Sequence, residues 1–531
     1  MLRAMHKPDA RTVPALLAAM VARDPSQLLL VDGAKRWSYG AFALEAERVA
    51  RALAACGIVK GDRVGILMGN RAEWLVLDFA VMHLGAIAVG LNTWATAHEL
   101  AYQLGHAEVK LLAIEPTFRV TDFRALLSAA REQGQGLPAL TTVVCTEAPA
   151  DGMLAWVDFL RRAEEVEPSV VTRAVAALEP EDIACMLYTS GSTALPKGVP
   201  LAHRGLIDNM WEIGERQHLA KDDRLWLAVS LFWSLACVNA LYAVLTHNGA
   251  IVLQHHFDAG EALRLIEAER CTVFYGTPNM ALALWEHPAR AAHSLASLRT
   301  GVTIGTPEQI RRVAELGVGE ICNVYGLTEA YGNSAVTDAH LPLEKRLVTV
   351  GRALGGVEIS IRDAVSGATL PPNTPGEITL RGNVTPGYWN DAVRTAEAFY
   401  PDGFFRTGDL GLLDDEGFLF YRGRVKELVK TGGINVAPAE VEEVLCTHPA
   451  VELAFVTGIP DPRLDEALAA VIVVRAGASV SEAELATHCR ATLAAYKTPR
   501  HFRFVTAAAL PLTTTGKLKR NELPTLFSGA A

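Results

Sequence analysis

The chain has 531 residues, of which 50% are hydrophobic and 20% charged, and 49 Lys and Arg against 59 Asp and Glu give a formal net charge of −10. A single hydrophobic core stops growing at about 250–300 residues, so this length predicts two or more domains. The composition is typical of a soluble globular protein and excludes extended disorder. The acidic balance argues against a nucleic-acid partner, because phosphate backbones are bound by a basic face.

The apolar runs disfavour a membrane-spanning or secreted protein, and the cysteines disfavour one stabilised by disulfides or a metal. No apolar run approaches the ~20 residues that span a bilayer. The longest early run, 13–22, stops at Arg23 and lacks a small-residue cleavage site, which favours a short amphipathic helix over a signal peptide. The eight cysteines form no CxxC pair and have no histidine at zinc spacing. We therefore expect free thiols in a reducing cytoplasm, without disulfides or a structural metal site.

The first part of the chain alternates strand and helix patterns. A strand-like run at 63–68 is followed by a helical pattern at 72–84 and an apolar run at 86–91, and the alternation returns at 251–275. Strand, helix and strand in this order predict parallel βαβ units packed in layers. The expected fold class is therefore α/β.

The pattern changes near Gly351, where short β-like runs are separated by turn clusters at 371–376 and 414–417. After Lys426 a new unit begins, with a helix from Pro438, two strand-like runs, a second helix and a last strand. We predict an N-terminal domain at 1–422 with a β-rich subdomain at about 351–422, a hinge at 423–427, and a small mobile α+β domain at 428–531.

The densest chemical signal is the segment 188–199, where hydroxyl residues and two glycines lie between an apolar run and Lys197. Free backbone amides, hydroxyls and a lysine are the groups that bind a polyphosphate. The segment is not a Walker loop, since GxxxxGK[ST] is absent. Taken alone, such a loop is more often only a loop.

Three later motifs are also weak when each is taken alone. Tyr-Gly-Leu-Thr-Glu at 325–329 ends in an acid that could be a solvated glutamate, and Thr-Gly-Asp at 407–409 could be a common turn. The lysine that ends Thr-Thr-Thr-Gly-Lys at 513–517 could be a solvated charge near the C-terminus.

Together and in this order, the four motifs and the Gly-Arg-Val-Lys at 423–426 resemble the adenylate-forming superfamily: acyl- and aryl-CoA synthetases, luciferase, and peptide-synthetase adenylation domains. The resemblance extends from Trp37 to Arg520. It implies that a carboxylate attacks the α-phosphorus of ATP, pyrophosphate leaves, and a thiol then attacks the acyl carbon while AMP leaves. It also implies the cofactors ATP, Mg²⁺ and CoA. Negative charge grows at phosphorus in the first step, so fixed cations and donors there lower the barrier.

The resemblance assigns roles to particular residues. The β- and γ-phosphates would be held by Thr189, Ser190, Gly191, Ser192, Thr193 and Lys197. The adenine would be enclosed by Gly305, Thr306, Pro307, Asn323, Val324, Tyr325 and Tyr421, and the ribose held by Asp409 and Arg424. Gly326 would belong to the cofactor-binding residues and also border the acyl pocket. The catalytic group would comprise Thr328 as a donor to the α-phosphate, Glu329 as the Mg²⁺ ligand, and Lys517 between substrate carboxylate and α-phosphate.

The second half-reaction would require the small domain to rotate about Lys426. Lys517 would then leave the site, and Gly432 and Gly433 would line a tunnel for the CoA thiol arm. The walls of the acyl pocket would be apolar, with no charge for a second carboxylate or an amino group: Phe232, Trp233, Leu235, Asn239, Ile304 and Ala330. A fatty, alicyclic or aryl monocarboxylic acid is therefore favoured over an amino acid.

Three departures from the family pattern surround the predicted site. Ala194 replaces a glycine that is frequent in the family and could restrict the phosphate loop. Trp233 stands where a histidine is frequent. The segment Gly-Thr-Pro at 305–307, which contains Thr306, departs from the more usual Gly-Gly-Ala-Pro. These departures leave open that only one half-reaction is efficient. A carrier-protein phosphopantetheine could also replace free CoA, and a homodimer is common in the family. The alternative of another class is a non-catalytic protein that only binds the nucleotide.

Overall fold

The computed structural model describes residues 6–133, 136–189, 196–431, 434–461, 463–493, 495–512 and 518–527, except for the side chains of residues 426, 434, 435 and 465. The chain divides into two compact units. The first comprises 1–359 and 380–405, and the second comprises 360–379 and 406–531. The predicted hinge at 423–427 stays a prediction.

In chain order the strands are β1 Leu28–Asp32, β2 Lys35–Ser38, β3 Arg63–Leu67, β4 Ile87–Gly90, β5 Leu111–Ile114, β6 Thr117–Phe118, β7 Thr121–Asp122, β8 Thr142–Cys145, β9 Leu154–Ala155, β10 Ile183–Thr189, β11 Lys197–Ala202, β12 Arg224–Leu227, β13 Ala250–Leu253, β14 Val273–Tyr275, β15 Thr300–Thr303, β16 Glu320–Tyr325, β17 Ala335–Val336, β18 Arg352–Ala353, β19 Val357–Arg362, β20 Gly376–Gly382, β21 Phe405–Leu413, β22 Leu419–Arg424, β23 Val429–Thr431, β24 Ile434–Val436, β25 Val451–Asp461, β26 Asp465–Val474 and β27 His501–Val505.

The α-helices are α1 Val13–Arg23, α2 Tyr39–Ala55, α3 Ala72–His83, α4 Ala97–His106, α5 Phe123–Arg131, α6 Trp156–Arg161, α7 Pro168–Ala176, α8 His203–Arg216, α9 Leu241–Thr246, α10 Ala259–Ala268, α11 Pro278–Glu286, α12 Pro307–Glu315, α13 Leu343–Val348, α14 Ala392–Glu397, α15 Pro438–Cys446 and α16 Glu482–Thr492. Short helical turns include a π-helix at Ser234–Ala240 and 3₁₀ turns at Thr328–Ala330 and Val425–Glu427. Within the described ranges, no helix is both long and apolar enough to cross a bilayer.

Two large sheets, mostly parallel, form the first unit. One has nine strands in the order β18-β17-β16-β15-β14-β12-β13-β1-β2, and the other has seven in the order β11-β10-β4-β3-β5-β8-β9. The predicted βαβ unit at 63–91 is confirmed, because β3 and β4 pair in parallel and α3 connects them. Each of β4, β5 and β13 is buried along its whole length, as expected for parallel strands covered on both faces.

Local sequence chemistry determines where several helices begin. The Ser38 hydroxyl accepts a hydrogen bond from Ala41 N at the start of α2. Thr96 and Glu99 form a reciprocal capping box at the start of α4. Such caps satisfy backbone N–H groups that have no partner inside the helix and contribute about 1 kcal/mol each.

The C-terminal part of the chain is β-rich before it becomes α+β. The strands β19, β20, β21 and β22 form a four-stranded sheet in that order. The next sheet has the order β24-β23-β26-β25, with β27 pairing β26 in parallel. The buried side chains of Val441, Leu445 and Leu485 bring α15 and α16 into a common core with this sheet. The predicted α/β architecture with a small α+β C-terminal domain is confirmed.

Candidate active site

The hairpin of β10 and β11 determines where the predicted phosphate loop begins and ends. Thr189 and Lys197 are direct partners across this antiparallel pair. The residues between the two strands, 190–195, lie outside the described residues, and with them the predicted Ser190, Gly191, Ser192 and Thr193 and the departure at Ala194.

Lys197 and Glu329 are connected through one tyrosine. The Nζ atom of Lys197 lies 4.2 Å from the ring centroid of Tyr388, within the range of a cation–π contact. The Tyr388 hydroxyl donates to Glu329 Oε1 at 3.0 Å. Burial, followed by the nearby Glu329 carboxylate, holds the pKa of Tyr388 above its ordinary value. The phenol therefore stays protonated and remains a hydrogen-bond donor at neutral pH.

Residues 385–389, which we call the 385–389 segment, form hydrogen bonds with the backbone that carries Lys197 and with the backbone that carries Glu329. Thr385 N donates to the Glu329 backbone carbonyl at 2.6 Å. Its hydroxyl lies 2.8 Å from the carbonyl oxygen of Pro200 in β11, and Trp389 N donates to the carbonyl of Gly198 at 2.9 Å. The strand that begins with Lys197 and the turn that carries Glu329 are thus held by the same segment.

The turn after β16 is shaped by close backbone approach. A Cβ atom at Gly326 would lie 2.1 Å from the carbonyl oxygen of Gly332, so a larger residue cannot be placed without moving the chain. Tyr331 has φ of 55°, in the left-handed region, and its hydroxyl accepts a hydrogen bond from Ala202 N at 3.0 Å. This hydrogen bond offsets the energetic cost of the left-handed backbone conformation and keeps the turn against β11.

Thr328 is the first residue of the 3₁₀ turn and is already engaged. Its hydroxyl lies 3.2 Å from the hydroxyl of Ser234, the first residue of the π-helix. The predicted α-phosphate donor therefore connects the Tyr-Gly-Leu-Thr-Glu turn with the segment that carries Phe232 and Trp233. Donation to a phosphate would require the Thr328 hydroxyl to turn away from Ser234.

The predicted adenine-binding residues of the first unit have partners in the fold. The Asn323 amide nitrogen donates to the carbonyl of Thr349 at 3.0 Å, and Asn323 N donates to the Thr337 hydroxyl at 2.9 Å. Val324 and Tyr325 are buried in β16.

At the segment 305–307, Thr306 caps α12 in a capping box with Gln309, and Pro307 is the first helical residue. Gly305 lies so close to Gln309 that a Cβ atom would stand 2.8 Å from its Oε1. These contacts explain the Gly-Thr-Pro sequence through helix initiation, whatever else the segment binds.

The predicted acyl walls include an aromatic group that the sequence analysis identified only in part. Phe232 and Trp233 contact each other and also Trp94, with ring centroids 5.2 to 5.8 Å apart. Asn239 and Ala330 are fully buried. Leu235 is partly buried, whereas Ile304 is 53% exposed and is the least enclosed of the predicted walls.

The predicted ribose-binding pair lies in the second unit. Asp409 and Arg424 are direct partners of β21 and β22, and Arg424 Nε lies 3.1 Å from Asp409 Oδ1. The Thr407 hydroxyl donates to the carbonyl of Ile378 and accepts from Asp409 N at 3.0 Å, which fixes the turn before the carboxylate. Tyr421, on the same strand as Arg424, is 42% exposed.

The predicted residues of the second half-reaction mostly lie outside the described residues: Gly432, Gly433 and Lys517. The backbone of Lys426 belongs to the 3₁₀ turn, but its side chain is not described. Three residues after Lys517, Arg520 forms two hydrogen bonds to the Glu442 carboxylate, of 2.7 and 2.9 Å.

Two residues of this region, Tyr388 and Trp94, are not among those predicted from the sequence. The signal for Tyr388 was the Pro-Gly-Tyr-Trp run at 386–389, where an aromatic pair follows a turn. Nothing near Trp94 in the sequence distinguishes it from a core residue.

The family is established by comparison with known proteins. The family model described as AMP-binding enzyme matches residues 17–389, and that of the AMP-binding enzyme C-terminal domain matches residues 440–517. The chain therefore belongs to the AMP-binding, or adenylate-forming, enzyme family. It is an AMP-forming acid–thiol ligase that uses ATP, Mg²⁺ and CoA.

Three relatives illustrate the similarity. The chain is 35% identical to the 3-[(3aS,4S,7aS)-7a-methyl-1,5-dioxo-octahydro-1H-inden-4-yl]propanoyl:CoA ligase of Mycobacterium tuberculosis, covering 97% of this chain and 99% of that protein. It superposes on ATP-bound MatB from Rhodopseudomonas palustris with a TM-score of 0.80 at 29% identity, over 97% and 99% of the two chains. The anthranilate CoA ligase AuaEII in complex with anthranoyl-AMP gives a TM-score of 0.82 at 27% identity, over 98% of each chain.

Proposed function

We propose that the ligase activates a ring-bearing or fatty monocarboxylic acid and transfers the acyl group to CoA. A carboxylate oxygen of the acid attacks the α-phosphorus of ATP and pyrophosphate leaves. The CoA sulfur then attacks the acyl carbon, loses its proton, and AMP leaves. The observation that carries the proposal is the Lys197–Tyr388–Glu329 arrangement, which places a cation and a hard anionic ligand around one phenol.

The charges of this arrangement suit a magnesium–polyphosphate. Tyr388 occupies one oxygen of the Glu329 carboxylate, and the other can serve as an oxygen ligand of Mg²⁺. When bound, the ion neutralises negative charge on the phosphates. Lys197 would bind a phosphate oxygen together with Thr189 and the hydroxyls of 190–193. The Thr328 hydroxyl would turn from Ser234 to the α-phosphate. Asn323 to Tyr325 and Gly305 to Pro307 would enclose the adenine.

The second unit supplies the remaining proposed roles. Arg424 holds Asp409 in place, so that the carboxylate can accept both ribose hydroxyl hydrogens, while Tyr421 would lie against the adenine. Lys517 would neutralise the attacking carboxylate and the α-phosphate in the first step. The hinge at 423–427, with Lys426 at its centre, would allow the 428–531 domain to bring Gly432 and Gly433 to the CoA thiol arm.

The class of acid follows from the aromatic group of Trp94, Phe232 and Trp233. Edge-to-face contacts between these rings create an apolar wall without a charged residue among them. A second carboxylate or a charged α-ammonium group on the acid would lose its hydration there without gaining a partner. The relatives named for an indane-propanoyl and an anthranilate substrate support an alicyclic or aryl ring.

Acceptor, assembly and location are further parts of the proposal. Free CoA is the acceptor, with a carrier-protein phosphopantetheine as the second candidate, and the family favours a homodimer. The eight cysteines are all free thiols, six of them buried. Free thiols are typical of a reducing compartment, which supports the cytoplasm.

Pyrophosphate release with ATP and Mg²⁺ tests the proposal against a panel of fatty, alicyclic and aryl acids, each with and without CoA. We expect acid-dependent pyrophosphate and, with CoA, an acyl-CoA product. Release of orthophosphate would instead indicate an ATPase, and pyrophosphate without any thioester would favour a carrier protein or a single half-reaction. The non-catalytic alternative would be supported by a protein that binds nucleotide, releases no pyrophosphate with any acid, and also fails to convert a preformed acyl-adenylate.

A further inference from the structure

Two histidines and an aspartate meet at the surface of the first unit. His218 follows α8, whereas Asp338 and His340 follow β17. One ligand atom from each of the three side chains lies within 4.8 Å of the other two. Among the described residues this is the one group of three or more His, Cys, Asp or Glu side chains gathered so closely.

The distances suit one small cation. His218 Nε2 lies 3.1 Å from Asp338 Oδ1. Tetrahedral zinc with ligand bonds of about 2.0–2.2 Å separates its ligand atoms by about 3.3–3.6 Å. The rings of His218 and His340 are stacked, with centroids 3.7 Å apart and planes 9° apart. The stacking keeps the two imidazoles side by side, but an ion in the plane of one ring lies outside the plane of the other. The more exposed His340 ring, 61% exposed, must therefore rotate out of the stack for both histidines to bind one ion.

The chemistry of the ligands and their surroundings selects the class of ion. Two imidazole nitrogens and one carboxylate suit zinc and similar transition metals, whereas Mg²⁺ prefers oxygen ligands. Arg299 already binds Glu320 at 3.1 Å, so Glu320, 3.8 Å from His340, is a poor fourth ligand.

We propose that His218, Asp338 and His340 bind a zinc-class divalent ion, with water completing the coordination. The three side chains are 39%, 32% and 61% exposed, so an ion can enter and the ligands can adjust. The ion connects the loop after α8 with the segment after β17.

The site lies close to the strand with the predicted adenine-binding residues. Thr337 precedes Asp338, and its hydroxyl accepts the hydrogen bond from Asn323 N. An ion at Asp338 therefore restrains the chain that holds β16. Its effect is stabilisation of the first unit, independent of the identity of the acid.

Zinc titration of the full-length protein by calorimetry, after chelator treatment, tests the site. We expect one zinc per chain, a visible Co²⁺ spectrum typical of tetrahedral nitrogen and oxygen ligation, and an unchanged zinc affinity when Mg²⁺ is added. The variant His218→Asn/His340→Ala should bind zinc at least about tenfold more weakly. Asparagine is chosen because residue 218 has φ of 52°, which asparagine tolerates.

Two further variants make the result decisive. Asp338→Asn preserves an acceptor for His340 N, 2.9 Å away, and should also weaken zinc binding. The control His448→Ala/His488→Ala removes a histidine pair of the second unit, with ring centroids 5.2 Å apart, and should bind zinc as the wild type does. Equal zinc affinity in wild type and His218→Asn/His340→Ala, or no saturable binding to the wild type, would overturn the proposal.

Discussion

The hydroxyl of Tyr388 donates a hydrogen bond to the Glu329 carboxylate, although 59 residues separate the two along the chain. Because the ring of the same tyrosine lies beneath Lys197, one side chain positions both a cation and an anion. Electrostatic stabilisation of a transition state depends on charges that are already in place. Tyr388 is thus a positioning residue for both.

Replacing Tyr388 by Phe removes the hydrogen bond and retains the ring beneath Lys197. We expect kcat/KM for acid-dependent pyrophosphate release to fall about tenfold, the value of one hydrogen bond to a charged group, with a larger Mg²⁺ requirement. Tyr388→Leu, which also removes the cation–π contact, should cost more. The matched control is Tyr39→Phe. It removes another buried tyrosine hydroxyl, which donates to the carbonyl oxygen of Gly249. A Mg²⁺ requirement equal to that of the wild type would contradict the positioning role.

The Asp409–Arg424 pair predicts a specific defect in ATP binding. Asp409→Asn and Arg424→Gln should each raise KM for ATP about tenfold or more, because the carboxylate loses charge or orientation. Arg422→Gln is the control, since Arg422 is on the same strand and bonds to Glu443 at 2.9 Å. If Arg422→Gln raised KM as much as Arg424→Gln, the ribose assignment would be wrong.

The two half-reactions should separate in Lys517→Ala. We expect adenylation to fall by several orders of magnitude, because the variant lacks the charge that is proposed to lie between the carboxylate and the α-phosphate. Conversion of a supplied acyl-adenylate and CoA to acyl-CoA should be nearly unchanged, as measured by product formation. Lys519→Ala should leave both steps intact. Equal loss of both half-reactions in Lys517→Ala would disprove the alternation of the small domain.

Trp233 should limit the size of the acid. Trp233→Ala removes one ring from the group with Trp94 and Phe232, so kcat/KM should shift toward bulkier or longer acids in the panel. Trp285→Ala, at a 50% exposed position on α11, should leave the preference unchanged. The same order of acid preference in Trp233→Ala and wild type would remove Trp233 from the acyl wall.

Asp78 predicts a pH dependence of stability. Burial raises the pKa of Asp78 to about 7, although the Tyr242 hydroxyl donates to it at 3.3 Å. In the unfolded chain the pKa is about 3.9. Between these values the folded state binds more protons than the unfolded state, so this group contributes less stability as pH rises.

The variant Asp78→Asn removes this titration. Its melting temperature minus that of the wild type should therefore increase from about pH 4 to about pH 7 and level off above that. Thermal unfolding of both proteins at closely spaced pH values measures the difference. A difference that stays constant across this range would show that Asp78 does not titrate there.

Much of the fold could be predicted because its signals are local. Continuous apolar runs such as 86–91 and helical spacing such as 72–84 correspond to β4 and α3. The end of the last long helix was less predictable. The sequence pattern at 481–495 predicts a helix that reaches 495, whereas α16 ends at Thr492. The π-helix at Ser234–Ala240 has no distinguishing sequence pattern.

The site was predicted by motif but not by packing. Glu329 and Lys197 follow from their motifs, whereas Tyr388 and Trp94 require knowledge of which distant segments meet. The same limit applies to His218 and Asp338, which lie 120 residues apart in sequence. For Thr306 the motif predicts contact with the nucleotide, whereas the structure shows that the residue caps α12. The sequence alone did not reveal this second role.

The 385–389 segment couples the positions of Lys197 and Glu329. Its hydrogen bonds reach the Glu329 carbonyl, Pro200 and Gly198, so local opening there would release the supports of Lys197 and Glu329 together. The amides of Thr385 and Trp389 should then exchange with solvent as one cooperative unit. Opening of this segment would therefore loosen the positions of Lys197 and Glu329 together, and would not leave one of the two charges fixed alone.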